Sequence, residues 1–359
     1  MAAVGEDEFA YNAEAVARAG VDGLCFVAGD RYILKKLSTD ARLSDRGRMA
    51  FQKFYERSAQ SGSLVQEMSC YAEIYDGPTQ TDKRGEKTVF KINYRDLTNS
   101  SLLLPVLLAE NFTDCNVLVE LAILFAEVRQ LGIKVAFDKR PGGGSTTAQV
   151  LHETLKQSWL QPVFLFCDSD RKYPGGDCGA TANSLIGVVR DSLTPRHVFV
   201  FDISPGRELE NNIPLSIIES ALRASGMPVT AVSSKIEQLR KCMLHAEDAV
   251  LFADLKTGMT VVDLDNARDP VCHSFWSQAA AQLHSTGCSR ICVPVGSCPA
   301  GAACTCFIIP SISKGALSAV ETLLKSGRYK GDVVFTEHTE RFIRNVVSMG
   351  CASHRVYVA

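Results

Sequence analysis

The sequence lacks a strong net charge and a nucleotide-binding loop. It has 38 Lys and Arg against 40 Asp and Glu among 359 residues, a formal net charge of -2. This balance excludes a uniformly basic nucleic-acid binder, because phosphate neutralisation needs clustered cations, so any such cluster must be local. The sequence contains no G-x-x-x-x-G-K-[ST] loop, and ATP hydrolysis by this chain is therefore not expected.

Long uninterrupted apolar segments are also missing. The longest apolar stretch, Leu102–Ala126, is broken by Glu110, Asn111, Asp114 and Glu120, so it is poorly suited to span a bilayer. The first 20 residues carry acids and lack a basic stretch followed by an apolar run. We therefore expect a cytoplasmic protein that has no membrane partner.

The 13 cysteines do not show the pattern of a disulfide framework. Most occur singly in apolar segments, which is typical of reduced, buried thiols. The exception is a group with C-x₃-C, C-x₅-C, C-x₅-C and C-x-C spacings: Cys288, Cys292, Cys298, Cys304 and Cys306. These spacings lack the paired C-x₂-C of a zinc knuckle. With His273 and His284 nearby, a structural zinc and packed reduced thiols remain alternatives.

An α/β pattern begins near residue 100, where short apolar runs alternate with amphipathic stretches. This alternation predicts a parallel sheet of about four strands flanked by helices, with right-handed crossovers. The predicted strands are Leu104–Ala109, Ile133–Phe137, Pro162–Cys167 and Val198–Ile203, and the predicted helices are Asp114–Leu131, Thr147–Trp159 and Ala180–Leu193.

Less regular segments lie on either side, so we divide the chain into an N-terminal α+β region (1–98), an α/β domain (99–225) and a C-terminal region (226–359). The first region has a predicted helix near Ser44–Gln60 and no chemical motif. For the last region the patterns suggest strands at Ala249–Asp254, Thr260–Leu264 and Arg355–Ala359, and helices at Ser311–Leu324 and His338–Ser348.

Acidic residues follow three of the four predicted strands, at the sheet edge where open parallel sheets bind ligands. The six acids are Glu110 and Asp114, Asp168 and Asp170, and Glu208 and Glu210. Two of the pairs have a structural explanation when taken alone, since Asp168 and Asp170 could cap the following loop and helix and Glu208 and Glu210 suit a first helical turn. Glu110, at the end of an apolar run, would be costly to bury without a partner. Six carboxylates in one crevice would repel each other strongly unless hard cations such as Mg²⁺ bind between them.

The order of these residues resembles the TOPRIM fold, and in particular the nuclease domain of the OLD (overcoming lysogenisation defect) family. Glu110 with Asp114, the pair Asp168 and Asp170, and Glu210 before Asn211 match the acids of that family, and Gly142–Gly144 resembles its Gly-Gly turn. The Gly that usually follows the first Glu is Asn111 here. The family also uses a Lys beyond the last acid, for which Lys256 is best placed and Lys235 is the alternative.

The resemblance implies a nuclease that uses two Mg²⁺ or Mn²⁺ ions. Glu110, Asp114 and Asp168 would hold one ion, and Asp170, Glu208 and Glu210 the other. The implied catalytic residues are Glu110, Asp168, Asp170, Glu210 and Lys256, with Lys256 stabilising charge on the scissile phosphate. Arg171, Lys172 and Arg207 would contact the nucleic-acid backbone, or would serve only as countercharges to the acids.

Three classes of function remain open from the sequence. The first is a metal-dependent nuclease with DNA as the expected substrate, and phage defence as a setting. The second is a non-catalytic TOPRIM-like sensor or partner subunit. Whichever class applies, the expected protein partner is a further copy of the chain or a separate ATPase or sensor. The third is an Asp-x-Asp phosphatase or glycosyltransferase, although the phosphatase motif expects Thr or Val where Lys172 stands.

Overall fold

The structure is a computed structural model that describes residues 2–157, 160–265, 267–285, 307–329 and 331–355. The cysteine group from Cys288 to Cys306 lies outside these ranges, as does nearly all of the strand predicted at 355–359. The zinc alternative therefore stays a prediction.

Helices dominate the described residues. They are α1 (Ala2–Asp22), α2 (Arg31–Leu37), α3 (Asp45–Glu56), α4 (Ser58–Glu67), α5 (Phe112–Val128), α6 (Thr147–Gln157), α7 (Ala180–Ser192), α8 (Leu215–Ala224), α9 (Val229–His245), α10 (Glu247–Phe252), α11 (Val261–Asp265), α12 (Pro270–Ser285), α13 (Ala316–Lys325) and α14 (Glu337–Gly350).

The strands of the described residues form four small sheets. The strands are β1 (Cys70–Tyr75), β2 (Gln80–Arg84), β3 (Lys87–Asn93), β4 (Val106–Ala109), β5 (Lys134–Val135), β6 (Asp138–Pro141), β7 (Val163–Cys167), β8 (Phe199–Ile203), β9 (Met259–Thr260), β10 (Phe307–Ile309) and β11 (Cys351–Ala352).

The chain divides into two compact units. The first contains the described residues within Met1–Phe166, Leu185–Asp202 and Arg341–Ala359, and the second those within Cys167–Ser184 and Ile203–Glu340. The units cut across the three segments expected from the sequence, because the chain leaves the first unit and returns to it twice.

The largest sheet confirms the predicted α/β class. Its four strands are all parallel, in the order β6-β4-β7-β8, and helices flank it. Val106 of β4 pairs with Asp138 of β6 on one side and with Val163 of β7 on the other. The central strands β4 and β7 are buried along their whole length. Strands covered on both faces are continuous apolar runs, which is why the sequence predicted these two correctly.

The second strand of this sheet was predicted wrongly at Ile133–Phe137. Within that segment only Lys134–Val135 is a strand, and it pairs antiparallel with β11 rather than joining the large sheet. The strand that pairs with β4 is β6, with the polar sequence Asp-Lys-Arg-Pro. An edge strand has one neighbour and borders solvent, so it tolerates charges and a proline that a central strand would exclude.

The N-terminal part of the first unit has its own helical core and a mixed sheet. Ser44 begins α3 by accepting a hydrogen bond from Gly47 N at 3.0 Å, as the predicted helix near Ser44–Gln60 requires. Phe51 and Phe54 of this helix pack in a buried cluster with α1 and Leu34 of α2. In the three-stranded sheet, β3 lies between β1, which is parallel to it, and β2, which is antiparallel.

The second unit is mostly helical, and two strand predictions there were wrong. Ala249–Asp254 is largely helix α10, and Thr260–Leu264 contains only the end of β9 before α11 begins. A short apolar run does not distinguish a strand from a buried helix by periodicity alone. The helices predicted at Ser311–Leu324 and His338–Ser348 correspond to α13 and α14.

In the described part of the chain, no helix has both the length and the apolar character needed to cross a membrane.

Asp202 of β8 yields a prediction about stability and pH. Burial raises its pKa to about 6, although hydrogen bonds from Asn345 Nδ2 at 3.2 and 2.9 Å and the charge of Arg341 act in the opposite direction. The folded protein therefore binds this proton more tightly than the unfolded chain does. Its contribution to stability is present below the unfolded-state pKa and is lost as the pH rises through about 6.

Replacing Asp202 by Asn should remove this dependence. Relative to the wild type, the free energy of unfolding of Asp202→Asn should increase between pH 4 and pH 7, by at most about 3 kcal/mol. Urea unfolding of both proteins at one-unit pH intervals measures the difference. A difference that stays constant across this range would contradict the assignment.

Candidate functional site

The loop after β7 is fastened to the loop after β8 by hydrogen bonds within the second unit. Ser169 is fully buried, and its Oγ donates to the carbonyl oxygen of Gly206 at 2.6 Å. The backbone N–H groups of Ser169 and Asp170 both donate to the carbonyl oxygen of Arg207, at 3.1 and 2.9 Å. The two acidic segments predicted from the sequence, 168–170 and 208–210, are therefore held side by side.

Two asparagines fix the backbone of the second acidic segment. Asn211 Oδ1 accepts from Glu208 N at 2.9 Å, while its Nδ2 donates to the carbonyl oxygens of Val250 and Ala253, each at 2.9 Å. Asn212 Nδ2 donates to the carbonyl oxygen of Glu208 at 3.0 Å. The two side-chain amides thus hydrogen-bond to backbone groups of Glu208, Val250 and Ala253. The turn that carries Glu208 and Glu210 therefore has little freedom to move.

Glu208 and Glu210 share one lysine. Lys256 Nζ lies 3.2 Å from Glu208 Oε2 and 3.2 Å from Glu210 Oε1. Glu210 is almost completely buried, at 2% exposure. The lysine extends from a turn in which Asp254 Oδ1 accepts from the backbone N–H groups of Lys256 and Thr257, at 2.9 and 3.0 Å. The structure thus brings the predicted lysine, Lys256, to the predicted pair of Glu208 and Glu210.

The electrostatics of this group leave a surplus of negative charge. Burial raises the pKa of Glu208, and the neighbouring charge of Glu210 acts in the same direction, while Lys256 opposes both. Burial alone would lower the pKa of Lys256, but Glu210 and Glu208 outweigh it, so the pKa of Lys256 is raised. The ammonium therefore stays protonated at neutral pH. Lys256 thus supplies a single positive charge to a pair of glutamates, and a further cation would relieve the repulsion between their carboxylates.

The Asp pair after β7 contributes one residue tied to this loop and one that faces solvent. Asp168 Oδ1 accepts from Leu209 N, between the two glutamates in sequence, at 2.8 Å. Asp170 is exposed and has a left-handed backbone with φ of 53°. A Cβ at Gly179 would collide with the Asp170 carboxylate, so this close approach requires glycine. Asp168, rather than Asp170, is connected directly to the glutamate turn.

The predicted backbone-contacting cations differ in their surroundings. Arg207 pairs with Asp254 at 3.8 Å. The buried Nε atoms of Arg171 and Arg207 have no hydrogen-bond partner among the residues that the structure describes. Lys172 is exposed, and its carbonyl oxygen accepts from Trp276 Nε1 at 2.8 Å. Among the described residues, each arginine therefore has one unsatisfied N–H donor, which is buried and not open to solvent.

Glu110 and Asp114 belong to the first unit. Glu110 directly follows β4, and its carbonyl oxygen accepts from Gly143 N at 2.8 Å and Gly144 N at 3.3 Å. Both glycines have left-handed backbones, with φ of 79° and 63°, which explains the glycine-rich turn. Asp114 forms a capping box at the start of α5, where its Oδ2 accepts from Asn111 N at 3.2 Å. Its position therefore has a structural explanation.

The donor set suits a hard cation held by few ligands. Within the described ranges, no three His, Cys, Asp or Glu side chains are grouped closely enough to hold a metal ion. Mg²⁺ commonly takes only one or two protein carboxylates and completes its shell with water and substrate phosphate. The pair of half-buried Glu208 and buried Glu210 fits that chemistry. The two-ion, six-ligand set implied by the resemblance stays a prediction.

Sequence reasoning missed the residues that support this group. Asp254, Ser169 and Asn212 were not considered. An Asp followed four residues later by a Gly, as at Asp254 and Gly258, is a sequence signal for a turn. In the structure Gly258 has a left-handed backbone with φ of 82°. Lys235, the alternative lysine, donates to the carbonyl oxygen of Ile312 at 3.3 Å instead of contacting the acids.

No protein-family model, curated protein or solved structure matches the chain. The chemistry of the site must therefore be inferred from its own residues.

Removing the shared ammonium should destabilise the protein in a way that a divalent ion reverses. Lys256→Met leaves two carboxylates without their countercharge, so the free energy of unfolding should fall by about 1–2 kcal/mol in EDTA. Mg²⁺ or Mn²⁺ should raise the melting temperature of this variant more than that of the wild type. Thermal unfolding with and without each ion measures both effects.

Lys325→Met is the matched control, because it also removes a lysine paired with a glutamate, Glu321, but at an exposed position of α13. It should change neither stability nor the response to ions appreciably. An equal response to Mg²⁺ in Lys256→Met, Lys325→Met and the wild type would contradict the prediction.

Proposed function

We propose that the chain is a divalent-metal-dependent nuclease that hydrolyses phosphodiester bonds in nucleic acid, with DNA as the expected substrate. The observation that carries the proposal is the pair of half-buried Glu208 and buried Glu210 around one protonated lysine, on a turn tied to Asp168. The TOPRIM-like order of the acids and the four-stranded parallel sheet support it. A role in phage defence belongs to the same proposal.

Glu208 and Glu210 would hold Mg²⁺ or Mn²⁺, because their combined charge exceeds that of Lys256. A divalent ion, when bound, supplies an activated water and stabilises the leaving oxygen of an in-line displacement. Asp168 has one carboxylate oxygen committed to Leu209 N, which orients its second oxygen. Glu110, in the other unit, is a further catalytic residue only on the basis of the resemblance.

Lys256 would act on the scissile phosphate. Its raised pKa keeps it protonated at neutral pH, and an ammonium that contacts two acids can turn to a phosphate once a metal ion shares those acids. Arg171 and Arg207 would hold neighbouring phosphates, since both lie in the loops that carry the acids. Arginine suits this role because its planar donor array matches phosphate oxygens.

One observation favours a second candidate, a non-catalytic TOPRIM-like sensor or partner subunit. Lys256 already neutralises part of the charge of Glu208 and Glu210, so the turn can be stable without a metal ion. In such a module the lysine would be a structural substitute for the ion. The two candidates differ in whether divalent ions bind and support cleavage.

The proposal is tested by cleavage of plasmid, single-stranded DNA and RNA with Mg²⁺, with Mn²⁺ or with EDTA. Cleavage should require a divalent ion. Glu210→Gln and Asp168→Asn should each lower the cleavage rate by about 100-fold or more while the fold is kept, because each removes a charge and preserves shape. Circular dichroism and thermal unfolding check the fold of each variant.

Glu237→Gln is the control, because Glu237 is an exposed acid of the same unit that pairs only weakly with Arg240, at 3.9 Å. It should cleave like the wild type. Glu110→Gln separately tests the residue assigned by resemblance. Wild-type cleavage that persists in excess EDTA, or full activity of Asp168→Asn and Glu210→Gln, would remove the nuclease proposal and favour the non-catalytic module.

A further inference from the structure

A cationic surface lies on α2 and the adjoining α3 in the first unit. Residues 31–57 contain eight Lys and Arg against three Asp and Glu, in a chain whose total is -2. Three of the arginines in this segment are paired with carboxylates: Arg42 with Asp40, Arg46 with Asp22 and Arg48 with Asp45. The cations of α2 itself, Arg31, Lys35 and Lys36, are exposed and form no salt bridge with a carboxylate within the described ranges. The hydrogen bond from Arg42 lowers the pKa of Asp40, and the charge of Lys36 nevertheless helps to lower it.

Two of these cations share one aromatic ring. The guanidinium carbon of Arg31 lies 4.8 Å from the ring centroid of Tyr55 in α3, and Lys35 Nζ lies 5.2 Å from the same centroid. Arg31 also donates to Tyr55 Oη at 3.2 Å, and Lys35 donates to Gln52 Oε1 at 3.3 Å. These contacts hold two like charges close together. An anion that bridges them would relieve their repulsion and would find both side chains already ordered.

An exposed tyrosine, Tyr32, lies on the outer face of α2. Tyr32 is 76% exposed, and Lys36 follows it by four residues, so the two share one helical face. A base needs an open aromatic face on which to stack, and a phosphate needs a cation within one nucleotide of that base. The face of α2 offers both on a helix that Leu34 anchors in the core.

We propose that the exposed face of α2, with Arg31, Tyr32, Lys35 and Lys36, binds single-stranded nucleic acid. Arg31, Lys35 and Lys36 contact successive phosphates, and Tyr32 stacks on a base. An anionic membrane surface fits less well, because α2 has seven residues and Ile33 is its one exposed aliphatic side chain, whereas interfacial helices need a broad apolar face. The inference rests on the proposed function only in taking the polyanion to be a nucleic acid.

Fluorescence anisotropy with labelled 20-nucleotide oligo-dT and oligo-rU, in EDTA to prevent cleavage, measures the interaction. The double variant Lys35→Gln with Lys36→Gln should weaken binding by about tenfold or more, and the slope of log K against log salt should fall by about 1.4. Tyr32→Ala should weaken single-strand binding by about fivefold or more and duplex binding much less, while Tyr32→Phe should bind like the wild type.

The matched control is the double variant Lys156→Gln with Lys325→Gln, which makes the same charge change at two exposed lysines that pair with Glu153 and Glu321. It should change affinity less than twofold. An equal loss in both double variants, or none in the α2 variant, overturns the inference. So does a wild-type protein that binds phosphatidylserine vesicles but no oligonucleotide.

Failure of this inference is distinguishable from failure of the proposed function. Binding that maps to α2 in a protein that cleaves nothing sustains the inference and removes the nuclease. Metal-dependent cleavage, together with α2 variants that bind nucleic acid as the wild type does, sustains the nuclease and removes the α2 inference.

Discussion

The interaction on which the second unit depends is the sharing of one lysine by two glutamates, of which Glu210 is buried and Glu208 is half-buried. A carboxylate that leaves water loses several kcal/mol of solvation unless a countercharge and hydrogen bonds replace it. Lys256 supplies one positive charge for Glu208 and Glu210, and the remainder of the turn is built to keep those positions fixed. Asn211 and Asn212 satisfy its backbone, and Ser169 fastens it to the segment after β7. A charge imbalance maintained by a rigid frame is typical of a site that binds cations.

The parts of the fold that were predictable are those whose burial determines their composition. β4 and β7 lie where the apolar runs indicated, since a strand covered on both faces has little room for polar residues. β8 is an edge strand, but its sequence Phe-Val-Phe-Asp-Ile is apolar enough to be recognised. β6 was missed because an edge strand escapes that constraint, and its sequence Asp-Lys-Arg-Pro resembles a loop. α10 was mistaken for a strand because its apolar run is short, and packing rather than periodicity decides its conformation.

The candidate site shows a similar division. The sequence could indicate which acids follow strands, because strand ends are visible in the hydropathy pattern. It could not indicate which carboxylates share a partner, because that depends on contacts between residues far apart in the chain, such as Lys256 with Glu208. Asp114 shows the ambiguity in a single residue: an acid three positions into a helix serves as a cap as readily as a ligand. Its spacing from Glu110 is the same in either role.

The charge distribution also limits how a polyanion can bind. A chain of almost zero net charge generates little long-range attraction for nucleic acid, and a pair of glutamates with one lysine repels phosphate until a cation is present. Affinity must then come from local clusters of cations without acidic partners. Most arginines of residues 31–57 are committed to carboxylates, whereas Arg31 and Lys35 are ordered by a neutral ring, which positions their charge without neutralising it. Ordering by an aromatic ring instead of an acid is what leaves these two cations available to a phosphate.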